Sequence, residues 1–277
     1  MQRINQKYIN NVVSKALAED LVPNGDITTK LLNSKNEKIK AKIISKQEGI
    51  ISGLDFCKAA FRLIEKKSKF IPKIRDGNSI KKNQIIAEVI AKTKTILIAE
   101  RTALNFLNHA SGISTITNQF VRKVNNKSKI CCTRKTTPNL RLLEKYAVQK
   151  GGGYNHRYNL SDEVLIKDNH IATDKSLINL IKRSLKTKKI VTVEIENMNQ
   201  LNKVLGLKFR RILFDNVNLT NLKKFIKICN NNYETEYSGN ANLKNIKKIS
   251  MTGVNRISVG SITHSAKSFD SSLLIFD

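Results

Sequence analysis

The sequence predicts an α/β protein in two differently patterned parts, the second reading as a (β/α) barrel, complete or nearly so. Three observations carry this. Beyond about residue 108, strand-like runs alternate with helical ones through six units, and alternation on that length scale builds a parallel sheet. Each strand candidate in that part ends in polar or glycine residues. Residues 1 to about 108 lack the alternation and mix short strands with helices.

In the first part, residues 8–21 place Ile9, Val12, Val13, Ala16 and Leu17 on one helical face. Pro23-Asn24-Gly25-Asp26 then breaks the chain. Residues 39–45 alternate as a strand does, and residues 55–65 return to helical spacing. Asp76-Gly77-Asn78 punctuates further short strands up to Ile98, and residues 100–124 read as one or two helices interrupted near Ser111-Gly112. In the second part the predicted strands are residues 130–135, 163–168, 190–196, 211–215, 233–238 and 256–261, with helical segments such as 140–150, 175–185 and 243–250 between them.

Composition narrows the class. Hydrophobic residues make up 40% of 277, enough for a sizeable core. No apolar run approaches the ~20 residues of a membrane helix, and Met1-Gln2-Arg3-Ile4-Asn5 leads into an amphipathic pattern with no signal-peptide core. A cytoplasmic protein without a membrane partner is expected. Cys57, Cys131, Cys132 and Cys229 form no C-x-x-C pair, so all four are expected to be reduced and mostly buried. Cys131 and Cys132 should point to opposite faces of their strand. The net charge of +28 admits nucleic acid, a membrane surface or small polyanions as partners. The crowding of Lys, Asn and Ile also fits compositional drift, with Lys182-Arg183, Lys186, Lys188 and Lys189 as a solvated helix face and turn. Aromatics are 6%, and neither a zinc ligand set nor an aromatic RNA-binding motif is present, so a nucleic-acid partner is not expected.

The strand ends carry the candidate chemistry. In (β/α) barrels the active site sits at the C-terminal ends of the strands. Thr133-Arg134-Lys135 sets a guanidinium, suited to forked carboxylate binding, beside an ammonium suited to phosphate. His156-Arg157 follows three glycines, a loop able to bring backbone N–H groups to an anion. Thr192, Glu194 and Glu196 alternate with Val191, Val193 and Ile195, which sends the polar set into the barrel interior. Asp215 ends the next strand. Glu194 and Asp215 together suit ribose hydroxyls, Mg²⁺ or a developing positive charge. They also suit an internal ion-pair network with Lys135 or Lys167. Ser238-Gly239-Asn240 and Val259-Gly260-Ser261 are strand-to-helix turns of the kind that meet phosphate on late barrel strands. His264 lies just past the second turn, whereas His109 and His170 read as structural or as supporting site residues, not as catalytic ones.

These segments resemble the quinolinate phosphoribosyltransferases of the type II phosphoribosyltransferase family. The resemblance begins at Ala18-Glu19-Asp20-Leu21 and Gly25-Asp26-Ile27-Thr28-Thr29. It continues through Glu100-Arg101-Thr102-Ala103-Leu104-Asn105-Phe106 and Ser111-Gly112-Ile113, and is densest from Thr133 to Ile171. It resumes at Glu194, Asp215-Asn216, Ser238-Gly239-Asn240 and Ile257-Ser258-Val259-Gly260-Ser261. The turn Leu21-Val22-Pro23-Asn24 is slightly longer than the family pattern. The resemblance implies a mixed α/β N-terminal domain, residues 1–108, packed on an incomplete (β/α) barrel, residues 109–266, with a tail, residues 267–277, returning to the first domain. It implies that Arg134, His156, Arg157 and Lys167 bind the quinolinate carboxylates, joined by Arg101 from the partner subunit of a homodimer. Lys135 would meet phosphoribosyl diphosphate, and Thr133 would be among the substrate-binding residues. Glu194 and Asp215 would hold its ribose hydroxyls with Mg²⁺, and Lys135, Glu194 and Asp215 would form the catalytic set. The turns 238–240 and 259–261 would hold the 5-phosphate, with His264. The implied reaction is decarboxylating phosphoribosyl transfer to quinolinate. A relative acting on another aromatic acid is the alternative.

Overall fold

The structure, a computed structural model, describes residues 4–32, 37–174 and 176–276. The readings made at Met1, Gln2, Arg3, Lys175 and Asp277 lie outside the described residues. In chain order the strands are Lys38–Ser45 (β1), Gly49–Ile50 (β2), Lys69–Pro72 (β3), Ser79–Ile80 (β4), Ile85–Lys92 (β5), Lys129–Cys131 (β6), Val164–Ile166 (β7), Val191–Ile195 (β8), Arg211–Asp215 (β9), Glu234–Ser238 (β10), Arg256–Ser258 (β11) and Ser271–Phe276 (β12). The chain divides into two compact units. One holds Met1–Asn118, Thr137–Gly152 and Ser265–Asp277, and the other Gln119–Thr136 and Gly153–His264.

The first unit is built on an antiparallel sheet of order β12-β1-β5-β3, with β2 and β4 paired separately. In β1 the residues Ala41, Ile43 and Ser45 are buried and alternate with less buried neighbours, the period of a strand with one wet face. The helix Gln6–Leu21 starts where the Asn5 side chain accepts the Lys7 N–H, and it buries Ile9, Val13 and Leu17 in one stripe. The helix Leu54–Ile64 lacks a side-chain cap from its own N-cap, Gly53. Asp76 supplies it from a distance, accepting from the Gly53 and Leu54 N–H groups and from the Tyr146 hydroxyl. Burial pushes the Asp76 carboxyl up, and those donors pull it back. On helix Arg141–Lys150, the fully buried Glu144 accepts from the Thr137 N–H and lies 2.9 Å from His109 Nε2. His109 thus partners a buried carboxylate.

Two local readings of the first unit are corrected. Its strands stop at Lys92, and a single helix, Thr93–Val124, runs for 32 residues without a break at Ser111-Gly112. The apolar residues that resembled strand residues, Ile96 and Ala99, continue a buried stripe through Ala103, Leu107 and Ala110 at helical spacing. Gly112 is there for closeness: a Cβ on it would lie 2.1 Å from the Lys267 carbonyl oxygen. Ser111 is turned to use, exchanging hydrogen bonds with the backbone of Ser52.

The second unit is a parallel sheet of order β6-β11-β10-β9-β8-β7. Strands β7 to β11 are neighbours in chain order, and the last of them pairs back onto β6, the first. No ladder joins β6 to β7 among the described residues. The result is the incomplete barrel that the sequence resemblance implied. Beyond β6, Tyr154 adds one parallel bridge to Cys131. The strands are shorter than the polar-ended runs suggested, because the ends peel away to make loops and helix starts. Asp168, which the sequence reading placed at a strand end, opens the helix Asp168–Asp174. Glu196 does not join Thr192 and Glu194 in the interior: β8 ends at Ile195, and Glu196 is exposed with its N–H donated to Gln200 Oε1. All four cysteines are free and buried. Burial pushes the Cys229 thiol up to about 11.

Gly112→Ala should cost about 1–3 kcal/mol, the usual penalty for overpacking against a neighbour that cannot withdraw. A fall in the thermal midpoint, read by circular dichroism, checks this. An unchanged midpoint would show that the Lys267 backbone yields freely.

Candidate active site

The C-terminal ends of β6 to β11 open into one cavity of about 800 Å³. Each strand contributes through the residue that follows it or ends it. After β6 come Thr133, Arg134 and Lys135; after β7, Lys167; on β8, Glu194; on β9, Asp215; on β10, Ser238; after β11, Gly260. His156 and Arg157 enter from the segment between β6 and β7.

The loops are locked by short polar contacts. The Thr133 hydroxyl accepts the Lys135 N–H at 3.0 Å, and the Lys135 carbonyl accepts the Thr263 hydroxyl at 2.7 Å. The Lys167 N–H donates to His170 Nδ1 at 3.0 Å, so His170 braces the backbone of a cavity-lining residue. Asn216 takes a left-handed backbone (φ 53°) and donates its amide to Asp215 Oδ2 at 2.9 Å. Gly239, with φ of 130°, approaches it so closely that an added Cβ would lie 2.5 Å from Asn216 Oδ1. Only glycine fits this turn. Asn240 also has a left-handed backbone, and its carbonyl accepts from the Asn242 and Asn245 amides.

Charge is sorted across the mouth. Arg134 Nε is buried without a hydrogen-bond partner among the described residues. Arg157 is buried and donates from Nη1 to the Glu163 carbonyl oxygen at 3.2 Å. Burial first, and then the Arg134 guanidinium, lower the pKa of Arg157. Two guanidiniums therefore stand close enough to repel, and one has a dry donor left over; an anion between them relieves both costs. Lys167 Nζ lies 3.1 Å from Glu194 Oε2, the ion pair foreseen as one reading of this carboxylate. Burial raises the Glu194 pKa, Lys167 opposes this, and the nearby Asp215 and Asp168 add to the rise. Asp215 is thereby part of the same electrostatic group.

Of the residues singled out in the sequence, Thr133, Arg134, Lys135, His156, Arg157 and Lys167 line the cavity. So do Glu194, Asp215, Ser238, Gly239, Asn240, Gly260, Ser261 and His264. Val259 does not: it is buried, and its N–H donates to the Cys131 carbonyl oxygen at 2.8 Å. Arg101 is exposed on the helix Thr93–Val124 and belongs to the other unit. The lining also includes Asn216, Asn242, Ser258, Leu165 and Leu213, which the sequence reading passed over as site residues. The asparagine-rich run after Gly239 was a usable signal, because Asn both tolerates left-handed backbone and closes turns on itself. Among the described residues no group of three or more His, Cys, Asp or Glu side chains forms a self-contained metal site. Glu194 and Asp215 match the one or two carboxylates with which proteins hold Mg²⁺ when a substrate supplies the other oxygens.

An open parallel barrel with cations and carboxylates gathered at its C-terminal mouth defines an enzyme that handles small anions. Comparison with known proteins gives the family. Residues 26–111 match the N-terminal domain of quinolinate phosphoribosyl transferase and residues 113–274 its C-terminal domain. The chain belongs to the quinolinate phosphoribosyl transferase family. It is 37% identical over 274 residues to the probable nicotinate-nucleotide pyrophosphorylase [carboxylating] of Bacillus subtilis strain 168, covering 98% of this chain and 94% of that one. It is 39% identical over 278 residues to the corresponding probable enzyme of Methanocaldococcus jannaschii, covering 96% of each. The structure of the nicotinate-nucleotide pyrophosphorylase from Francisella tularensis superposes with a TM-score of 0.95 at 34% identity, over 99% of this chain and 98% of that one.

Replacing Lys167 with methionine would leave Glu194 buried without its counter-ion. Its carboxyl, already above the ordinary range of about 4.3, should then titrate higher still. Carbon-13 carboxyl shifts followed against pH check the direction; an unmoved midpoint would mean that solvent, not Lys167, sets the Glu194 charge.

Proposed function

We propose that this chain transfers a phosphoribosyl group from phosphoribosyl diphosphate to quinolinate and decarboxylates the adduct, giving nicotinate mononucleotide, CO₂ and diphosphate for NAD biosynthesis. The observation that carries the reading is that Arg134, with one unmet buried donor, and Arg157 line the same cavity. Lys167 lines the same cavity. A planar dicarboxylate supplies the acceptors this arrangement lacks.

In this reading Arg134, His156, Arg157 and Lys167, which line one cavity, receive the two carboxylates. The acid occupies one side of the cavity and the ribosyl 5-phosphate the turns after β10 and β11, where Gly239 and Gly260 keep the backbone open to an anion. Thr133, Lys135, Ser261 and His264 complete the phosphate-facing side. The ring nitrogen attacks C1 of the ribose as the C1–O bond to diphosphate breaks, and positive charge grows on the ribose. Glu194 and Asp215 face that charge and stabilise it. Lys167 leaves Glu194 for the incoming carboxylate, which frees Glu194 for the ribose. The bond from the ring to the adjacent carboxylate then breaks, its electron pair moves into the pyridinium, and a proton replaces CO₂. Glu194 and Asp215 would be the residues to hold Mg²⁺ together with the substrate, and the ion would supply neutralisation of charge on the departing diphosphate. Among the described residues no helix is long and apolar enough to cross a membrane. The reading includes a cytoplasmic enzyme and a homodimer in which Arg101 completes the partner's site.

Three outcomes test it. Purified protein with Mg²⁺ and phosphoribosyl diphosphate should convert quinolinate to nicotinate mononucleotide, and should use nicotinate poorly because that acid cannot fill both cation positions. A preference for nicotinate overturns the assignment. Asp215→Asn should lower kcat by roughly 10²-fold, as loss of one preorganised electrostatic partner does, with a much smaller change in quinolinate affinity. Mixing inactive Arg101→Ala and Lys135→Ala proteins should return about a quarter of wild-type activity, since about half of randomly mixed dimers are mixed and each has one intact site. No recovery, despite subunit exchange shown by fluorescence transfer, would confine Arg101 to its own chain.

A further inference from the structure

The barrel does not close between β6 and β7, since no ladder joins them among the described residues. One edge of β7 is therefore open, and an open edge leaves backbone groups without strand partners. Val164, the first residue of β7, donates its N–H to the Ile190 carbonyl oxygen, just before β8, at 2.9 Å. The Glu163 carbonyl belongs to the same peptide unit and so points the other way, toward the gap. There it accepts Arg157 Nη1 at 3.2 Å.

That contact governs more than one donor. A guanidinium is planar and rigid, so holding Nη1 restricts the direction of its other N–H groups. Arg157 is buried and lines the cavity. The angle at which it meets an anion therefore depends on where the 163–164 peptide stands. The Val164 hydrogen bond alone leaves this peptide free to rock about the Ile190 oxygen. The Glu163 side chain removes that freedom: its Oε2 lies 3.2 Å from Arg211 Nη1, across β8 on β9. Arg211 is itself fixed, with its Nη1 donating to the Thr192 hydroxyl at 3.3 Å and its Nε 2.9 Å from Glu234 on β10.

Reach, not charge, is what Glu163 adds. The interior network is balanced, with Glu163, Glu234 and Glu236 against Arg210, Arg211 and Arg256, and Arg210 Nε 3.8 Å from Glu234. Whatever occupies position 163, Arg211 keeps Glu234 and Arg256 keeps Glu236. Burial first and then Arg134 lower the Arg157 pKa, and the opposing effect of the Glu163 charge is the least of the three.

We propose that Glu163 is a positioning residue for the acid subsite: anchored on Arg211, it sets the carbonyl from which the Arg157 guanidinium takes its direction. The inference rests on the functional reading above. It also gives the missing ladder a role, because a closed barrel would give the Glu163 carbonyl to a strand N–H instead of to Arg157.

Reach and charge can be separated at this residue. Glu163→Gln keeps the reach to Arg211 and an acceptor oxygen but loses the charge. Glu163→Asp keeps the charge and shortens the reach by one methylene. With phosphoribosyl diphosphate and Mg²⁺ saturating, kcat/KM for quinolinate should fall roughly tenfold in Glu163→Asp, the loss that follows when one hydrogen bond to a charged group is weakened. In Glu163→Gln it should stay within about twofold of wild type, and KM for phosphoribosyl diphosphate should move less than about twofold in both variants. The reverse order, Gln impaired and Asp sound, makes Glu163 a charge and overturns the proposal. So do equal losses for both substrates, which a merely structural role produces, and wild-type behaviour in both variants. The route is tested in an Arg157→Lys background, where Glu163→Asp should add less than about twofold to the loss already present; losses that multiply overturn the proposal. Should Glu163→Asp not fold, Arg211→Lys, which keeps the charge and gives up the forked contact, decides. It should show the same selective loss, and an unchanged kcat/KM for quinolinate overturns the proposal. Wild-type protein that does not turn over quinolinate overturns the functional reading and this inference with it, whereas an active wild type matched by Glu163→Asp overturns this inference alone.

Discussion

Parallel strands all run the same way, and their C-terminal ends therefore meet along one rim. In the second unit this brings together residues separated by more than a hundred positions, from Lys135 after β6 to His264 past β11. The shortness of the strands matters as much as their direction. β6, β7 and β11 each span three residues, so the chain leaves the ladder early and the next few residues become the walls of the cavity. A longer ladder would carry Arg134 and Lys167 into strand geometry, where they would alternate between the interior and the helix side. The chemistry of the site depends on that early exit.

Placing so much charge in one barrel requires that each level be balanced by different means. At the floor, Arg211 and Arg256 are surrounded by carboxylates at 2.9 to 3.8 Å, and little is left for solvent. At the mouth the balance is deliberately incomplete. Glu194 has Lys167, but Arg134 and Arg157 line the same cavity, and Arg134 keeps a buried donor unmet. A site whose own groups were all satisfied would have to break contacts before binding anything. Part of the chain's positive charge lies at neither level: Lys182, Arg183, Lys186, Lys188 and Lys189 are all exposed, the solvated face that the sequence suggested.

Much of this was legible in the sequence because period and punctuation act locally. The six strands of the second unit, the helix from Gln6 to Leu21 and the buried thiols follow from spacing and composition alone. So do most of the cavity residues, since polar strand ends identify a barrel rim. The misreadings share one cause: contacts made by distant residues. Gly112 looked like a helix break, and its absence of side chain in fact serves Lys267, far along the chain. Glu196 kept the alternation of β8, but the strand ended one residue before it. Asn216 was quoted beside Asp215 without a role of its own, and the close approach of Gly239 shows how tightly its turn is built. Nor could periodicity reveal that Glu236 and His156, eighty residues apart, lie within ion-pair range.

The pairing of β12 with β1 has a consequence for how the protein is made. Lys40 to Ser45 pair with Ser271 to Phe276, so the first strand of the chain waits for one of the last. During synthesis the whole second unit emerges while β1 still has one edge open. At ribosomal speeds of about 5–20 residues per second, the ~225 residues between the two strands keep that edge unpaired for tens of seconds. An open edge is a template for other chains. The alternating lysines of β1, Lys38, Lys40 and Lys42, put like charges along it, and in a crowded polysome they discourage two nascent copies from pairing with each other before the proper strand arrives.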